Sequence, residues 1–379
     1  MSDFLSIYLS ISNFLYTFVL IAIVAIGQIL LKIRDRKREY PKEWPTVSVL
    51  ISAKNEESVI ADCIDSLLNL DYPKEKLDIW IVDDKSTDRT SEIIDAYQAE
   101  NTIIKKLSTE GYKTDLKAKA RGISLAAKHA KGEWYFITDA DSKVHPLWIK
   151  EMLRGSTEET GTIAGMMTVK EDSFIGILEK MVWSYTLPFA FGAAGYGAEF
   201  ISVGPNTAMR SSIYHKAGGL EKADFKVAED LALFNMVKKS GYKPLAHNNR
   251  ETMVTMMPVK SFKQLLSQQR RWIKGPFEQA WYYPLGIIIV FGFSFLYHIA
   301  ITVGFFFAPF VSGIALLSRF IAEFAIIFIE KITLKQSGVL RYIPVLFIYL
   351  FFVFIFIPLS FVFTQRISWR GEGYKIEYN

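Results

Sequence analysis

The chain has 379 residues, with 44 Lys and Arg against 39 Asp and Glu, for a formal charge of +5. Half of it is hydrophobic and the mean hydropathy is +0.18, which excludes a disordered chain. A single cysteine, Cys63, excludes a disulfide framework and a thiolate zinc cluster; five His argue against a His-rich metal site, and so small a positive charge suits a membrane-facing protein better than a nucleic-acid binder.

Residues 4–31 contain no Asp, Glu, Lys or Arg, long enough for a helix through a bilayer. The start lacks the basic n-region and small-residue cleavage site of a signal peptide, so it reads as an uncleaved anchor. Lys32, Arg34, Arg36, Lys37, Arg38 and Lys42 follow, and the positive-inside rule puts them in the cytoplasm. Residues 1–44 are therefore expected to be an anchor with a basic juxtamembrane segment.

Residues 45–258 alternate in type. VSVLISA (47–53), DIWIVDD (78–84), TIIKKLS (102–108) and WYFITDAD (134–141) read as strands; 56–70, 90–98 and 118–130 have helical periodicity. This predicts an α/β domain with a mainly parallel sheet. Ligands in such sheets sit outside the carboxyl ends of the strands, where two acid clusters fall. The apolar segment 174–197 is interrupted by Pro188 and several Gly and reads as an interfacial or core helix rather than a span. Residues 259–283 spread Phe262, Leu265, Leu266, Gln269, Trp272, Ile273, Phe277 and Trp281 at helical spacing among Lys and Arg, the pattern of a helix on a membrane surface.

From Pro284 to Ile329 only Arg319 and Glu323 are charged, and 342–365 carry no Asp, Glu, Lys or Arg. Up to three C-terminal spans fit in 284–365, with a turn near 307–312. Seventeen of the 29 Phe fall between Phe291 and Phe363, which favours lipid-facing helices over a soluble core. Four spans in all would carry the tail 366–379 away from the catalytic side, yet Arg366, Arg370 and Lys375 favour the cytoplasm. One apolar segment is then re-entrant or interfacial.

Each polar motif has two readings. Asp139-Ala140-Asp141 is either a strand-end turn with solvated acids or a pair of hard-cation ligands suited to Mg²⁺ or Mn²⁺. Asp83-Asp84-Lys85-Ser86-Thr87-Asp88 reads as a turn and helix cap, but adjacent like charges at a strand end are costly without partners. Ala228-Glu229-Asp230 places acids at a helix N-terminus or supplies a general base. Gln268-Gln269-Arg270-Arg271-Trp272 is a basic surface turn or a diphosphate and sugar contact. Lys113, Lys117 and Lys119 touch phosphate or form a solvated run; His145 and Cys63 read as structural.

Taken in order, these motifs resemble the membrane-bound family 2 glycosyltransferases of GT-A fold. The likeness runs from about Val47 to Gly275. VSVLISAKNEE is similar to the family's first strand and nucleotide loop, which implies that Ala53, Asn55 and Glu56 lie near the nucleoside. VDDKSTD resembles V-D-D-x-S-x-D, implying a base contact for Asp83 or Asp84. KAKARG resembles K-A-x-A-L-N and makes Lys117 the matching lysine, with Arg121 where Leu is usual. DADS matches the metal-binding D-x-D, so Asp139 and Asp141 would hold Mg²⁺ or Mn²⁺. AED is similar to T-E-D with Ala228 for Thr, and Asp230 takes the role of base. QQRRWIKG matches Q-x-x-R-W and carries over Gln268, Arg271 and Trp272. VGPNTAMR (203–210) resembles the acceptor-side strand and loop.

The resemblance implies a GT-A Rossmann-like nucleotide-sugar domain with transmembrane helices at both ends, in a multi-pass membrane protein with a cytoplasmic catalytic domain. It implies an inverting hexosyl transfer from a nucleotide sugar, UDP in the first instance with GDP open. The partners expected are that donor, the bilayer and a membrane lipid acceptor, with no nucleic acid. A lipid acceptor is favoured because polymer export needs a channel of more spans. A processive polysaccharide synthase and a silent membrane scaffold are the alternatives. Neither donor sugar nor oligomeric state is legible.

Overall fold

The computed structural model describes residues 2–198, 202–225, 228–277, 293–334, 339–363, 366–369 and 372–375. A long helix, α1 (Ser2–Arg36), leads into the α/β domain. There follow β1 (Val47–Ala53), α2 (Ile60–Leu68), β2 (Leu77–Asp83), α3 (Thr90–Glu100), β3 (Ile104–Ser108), α4 (Ala118–His129), β4 (Trp134–Ile137), β5 (Ser142–Lys143), α5 (Trp148–Leu153), β6 (Thr160–Gly165) and β7 (Met167–Val169). Then come α6 (Phe174–Gly195), β8 (Thr207–Arg210), α7 (Ser211–Lys216), α8 (Glu229–Lys239), β9 (Lys243–His247) and β10 (Val254–Met256). Helices α9 (Phe262–Phe277), α10 (Phe293–Gly304), α11 (Pro309–Leu334) and α12 (Ile343–Phe363) precede a hairpin of β11 (Arg366–Trp369) and β12 (Glu372–Lys375).

Seven strands form one sheet in the order β3-β2-β1-β4-β8-β6-β9. Strands β3, β2, β1 and β4 run parallel, β8 is antiparallel to β4 and β6, and β9 is parallel to β6. The sheet is thus mixed and mostly parallel. Strand β1 is buried along its whole length, as a central parallel strand covered on both faces must be. Its alternate residues serve two cores: Val49 and Ile51 pack with Ile60, Ile64 and Leu67 of α2, and Leu50 packs with Ile123, Ala126 and Ala127 of α4. Strands β5, β10 and β7 make a second small sheet beneath the turn that follows β4.

Two sequence expectations shift. The helix expected over 56–70 begins at Ile60, because Asn55 turns the chain with φ of 57° and the Glu56 and Glu57 N–H groups donate to Thr90 and Asp88. Helix α6 continues through Pro188. The Pro188 ring removes one backbone donor, and its own carbonyl accepts from Gln28 Nε2 at 2.9 Å.

Helix α1 crosses α6 at glycines. A Cβ on Gly27 would strike the Gly192 carbonyl, and one on Gly195 would strike the Gly27 carbonyl. Small residues of this kind let helix backbones approach closely. The C-terminal end of α1 is pinned to the domain by Asp35, only 3% exposed. Its carboxylate pairs with Arg38 at 2.6 Å, His247 Nδ1 at 2.7 Å and Arg154 at 3.4 Å. Burial would raise the Asp35 carboxyl; His247, Arg38 and Arg154 outweigh that and bring it to about 2.

Among the described residues, one helix, Pro309–Leu334, is long and apolar enough to cross a membrane. The expectation of spans at both ends, and so of a multi-pass protein, is therefore carried by sequence composition and not by the fold. The charges that interrupt this helix face inward: Arg319 Nε pairs with Glu323 Oε1 at 2.9 Å, and Arg319 Nη2 donates to Tyr185 of α6 at 2.8 Å. The turn expected at 307–312 falls at 305–308. Residues 278–292, including Trp281 and the start of the second apolar region at Pro284, lie outside the described residues, as do Arg370 and residues 376–379.

Candidate active site

Four separate stretches of sequence meet at the carboxyl end of the parallel strands. The first is the turn after β4. Ser142 N–H donates to the Asp139 carbonyl at 3.1 Å, folding Asp139-Ala140-Asp141 tightly over β5. Met257 N–H donates to the Asp141 carbonyl at 2.9 Å, and the Cys63 thiol lies 3.6 Å from the Asp139 carbonyl. Cys63 is buried. Burial, with Asp141, Asp139 and Glu56 nearby, pushes its thiol well above the usual range, so Cys63 packs beneath the acids as an apolar group.

The second stretch is the start of α4. Ala118 stands at φ 45°, an uncommon backbone for a side-chain-bearing residue, and one position later Lys119 reaches the acids. Its Nζ lies 2.5 Å from Asp139 Oδ1 and donates to the Gly204 carbonyl at 2.9 Å. It is 3.9 Å from Glu229 Oε1. Burial alone would lower the Lys119 ammonium, but Asp139, Glu229 and Asp230 together raise it. Lys117, the lysine singled out by motif, is exposed at the helix N-cap. Lys119, two residues on, is the lysine that pairs with the acids.

The third stretch is the N-terminus of α8, where Glu229 and Asp230 occupy the first turn. Glu229 is buried; that burial raises its carboxyl against the opposing fields of Lys119 and Arg271. The Asp230 carboxylate lies against Gly204, where a Cβ would stand 3.7 Å from its Oδ2. The fourth stretch is α9, whose Arg271 carries a positive charge that acts on the Glu229 carboxyl. Gln268 is 3% exposed and acts to lower the carboxyl of Glu179 of α6, against the charge of Asp141, which raises it. Trp272 packs on Trp183 of α6, ring centroids 4.2 Å apart. Gln269 donates to Tyr349 of α12 at 2.5 Å.

The remaining predicted residues line the neighbouring strand ends. Asn55 N–H donates to Ser86 Oγ at 3.0 Å, and Thr87 N–H donates to Asn55 Oδ1 at 2.8 Å, joining the β1 and β2 loops. Ala53 is buried at the end of β1, and its carbonyl accepts from Asp84 N–H at 2.7 Å. Asp83 Oδ1 accepts from Ser86 N–H at 3.0 Å. Asp84, 1% exposed, receives Arg121 in a two-pronged pair at 2.7 and 2.8 Å and Thr109 Oγ1 at 2.6 Å. Arg121, the apparent departure from pattern, is thus the partner that the buried acid requires. Burial would raise Asp84; Arg121 and Thr109 hold it below its usual range.

The donor set suits a divalent cation of one kind. Asp139 and Asp141 are two carboxylates on one turn, and no group of three or more His, Cys, Asp or Glu that could hold a metal occurs among the described residues. Mg²⁺ and Mn²⁺ are commonly held by one or two carboxylates plus substrate phosphates. The pair fits that arrangement and does not form a cage of its own.

The family model of glycosyl transferase family 21 matches residues 15–379. The chain belongs to glycosyl transferase family 21. It is a glycosyltransferase. The match bears out the GT-A-like glycosyltransferase expected from the motifs and gives its family as 21. The chain is 31% identical over 211 residues to the probable glycosyltransferase YdaM of Bacillus subtilis, covering 54% of this chain and 49% of YdaM. It is 34% identical over 124 residues to beta-monoglucosyldiacylglycerol synthase of Nostoc sp., covering 33% of this chain and 26% of the synthase. The family 21 chain therefore spans about half of one relative and a quarter of the other. The mannosyltransferase PcManGT from Pyrobaculum calidifontis, solved with GDP-Man and Mn²⁺, superposes with TM-score 0.56 at 16% identity over 95% of this chain and 99% of that one. At that identity the likeness shows the fold.

Proposed function

We propose that this glycosyltransferase moves a hexose from a nucleotide sugar, UDP-linked in the first instance, to a hydroxyl of a membrane lipid, with inversion at the anomeric carbon. One arrangement carries the reading. The Asp139-Asp141 turn and the Glu229-Asp230 turn meet at Lys119, and α6, which packs on α9, also packs on α11 and α12.

A divalent cation held by Asp139 and Asp141 would neutralise charge on the departing diphosphate. Arg271 adds a fixed positive charge on the same side. Asp230 removes the proton from the acceptor hydroxyl as its oxygen attacks; a base within hydrogen-bond reach is worth on the order of 10²–10⁴-fold. Its neighbour Glu229, drawn to Lys119 and Arg271, leaves Asp230 to face the acceptor. The strand-end loops bearing Ala53, Asn55, Glu56, Asp83 and Asp84 take the nucleoside, with Gln268 and Trp272 toward the sugar. Direct displacement needs no covalent enzyme intermediate.

The acceptor class is argued from two features. The Nostoc relative bears the name of a lipid glucosyltransferase, and α11 exposes Ile314, Leu317, Ile321, Phe324, Phe328 and Ile332 at three- and four-residue spacing, a stripe suited to lipid. In this reading α1, α11 and α12 cross the bilayer, and the basic residues after α1 keep the domain in the cytoplasm.

The test is nucleotide release from detergent-solubilised protein with Mg²⁺ or Mn²⁺, across UDP- and GDP-sugars, with and without membrane lipid, with products read by mass. A lipid heavier by one hexose is expected, lost in Asp230→Asn. A ladder of additions without lipid would replace the reading with a polymer synthase. Nucleotide release unchanged in Asp230→Asn would remove the base assignment.

A further inference from the structure

Lys119 touches both acidic halves of the site. An ammonium offers three donors, and here Asp139 Oδ1 at 2.5 Å and the Gly204 carbonyl at 2.9 Å take two of them, with Glu229 Oε1 at 3.9 Å in line for the third. The Lys119 side chain is 18% exposed, so little water screens it. Asp139 is also half of the only carboxylate pair on the β4 turn. A divalent cation held by Asp139 and Asp141 would therefore compete with Lys119 for one carboxylate.

We propose that Lys119 is a positioning residue that holds Asp139 as an internal counter-ion in the resting enzyme, so that a divalent cation enters only together with the diphosphate of the donor. The inference rests on the reading of Asp139 and Asp141 as cation ligands. A free divalent ion arriving at Asp139 meets the Lys119 charge and is repelled. A diphosphate brings compensating negative charge and shifts the balance. The lysine stem is flexible, and Glu229 already lies within 4 Å of Nζ. Moving from Asp139 to Glu229 keeps the ammonium paired and delivers a positive charge next to Asp230 as the donor binds. Metal loading, donor binding and the setting of the base turn are thereby linked through one side chain.

The experiment is Mn²⁺ binding to the full detergent-solubilised chain, read as free Mn²⁺ by electron paramagnetic resonance, with and without UDP or GDP, for wild type and Lys119→Met. Wild type is expected to bind Mn²⁺ weakly alone and much more tightly with nucleotide. Lys119→Met is expected to bind Mn²⁺ alone roughly tenfold or more tighter than wild type, the scale on which a like charge within a few ångström acts on a neighbouring group, and to lose most of the nucleotide dependence. Should Lys119→Met fail to fold, Lys119→Gln, neutral but still able to donate to the Gly204 carbonyl, gives the same reading. Nucleotide-dependent binding in wild type with no gain in either neutral variant overturns this proposal alone. Wild type that takes up no Mn²⁺ with either nucleotide overturns the metal reading and this proposal with it.

Discussion

Glu179 sets up a stability test whose sign is opposite to ordinary acid lability. It lies on α6, wholly buried, and its Oε2 accepts from Val259 N–H at 3.1 Å, just ahead of α9. Burial raises its carboxyl from 4.5 to about 7, against the hydrogen bonds from Val259 and Gln268 and with the Asp141 charge adding to the rise. A folded value above the unfolded one means that the native state holds the proton more tightly. The stability Glu179 contributes is full below pH 4.5 and is lost as pH climbs through 7. A shift of that size corresponds to about 3 kcal/mol at most. Glu179→Gln keeps an acceptor for Val259 N–H and cannot ionise. Chemical denaturation in detergent at pH 5 and pH 8 is the assay. Near pH 5 the two proteins should be alike, and at pH 8 the Gln variant should be the more stable, by ~1–3 kcal/mol. A Gln variant less stable than wild type at pH 8, or two parallel pH profiles, would refute the reasoning.

Three other outcomes follow from the packing. Gly27→Val places a branched side chain against the Gly192 backbone and should cost about 1–3 kcal/mol or more, seen as a lower melting temperature; an unchanged melt would deny the close α1–α6 crossing. Arg121→Met strands Asp84 in the interior and should cost on the order of 3–5 kcal/mol, much of it recovered by adding Asp84→Asn, because two neutral partners leave no buried charge; denaturation of the single and double variants measures the coupling. Strand β11 packs against α9, so in a membrane the tail shares the catalytic side and an even number of crossings separates them. Ser368→Cys and Lys85→Cys should react with an impermeant maleimide from the same face of sealed vesicles, with buried Cys63 silent; labelling from opposite faces would count against that parity.

Much of the α/β domain was legible because it depends on local pattern. The run VSVLISA, short, apolar and rich in β-branched residues, read as a strand, and β1 occupies those seven residues. The acids at strand ends were likewise visible, since parallel topology sends carboxyl ends to one edge. What escaped depends on pairing at a distance. The motif singled out Lys117 for the donor, and nothing in it announces that Lys119, just after the left-handed φ of Ala118, pairs with Asp139. Arg121 looked like a departure until Asp84, 37 residues away, proved to be its partner. Asp35 and His247 are 212 residues apart, and nothing local announces that they join α1 to the domain. Pro188 suggested a break, and nothing local shows that α6 is braced along its length by α1, where Gln28 donates to the Pro188 carbonyl and the glycines close the crossing.

The element that joins chemistry to the apolar helices is α6. It enters from β7, offers Glu179 to the Val259 N–H just ahead of α9, and packs Trp183 against Trp272. One residue apart on the same helix, Ser184 and Tyr185 reach α11, the first toward Glu330 and the second toward Arg319. At its far end Gly192 and Gly195 lock onto α1. An ionic pair such as Arg319 and Glu323 is costly within an apolar helix unless it is turned inward and hydrogen-bonded, and Tyr185 takes a further hydrogen bond from Arg319. A helix held on three sides cannot slide without disturbing the Glu179–Val259 contact. The segment 257–259, which holds the Asp141 carbonyl through Met257 N–H and leads into α9, is therefore fixed by the same rod that contacts the apolar helices. That is the rigidity required if an acceptor arriving along those helices is to find Asp230 already facing the anomeric carbon.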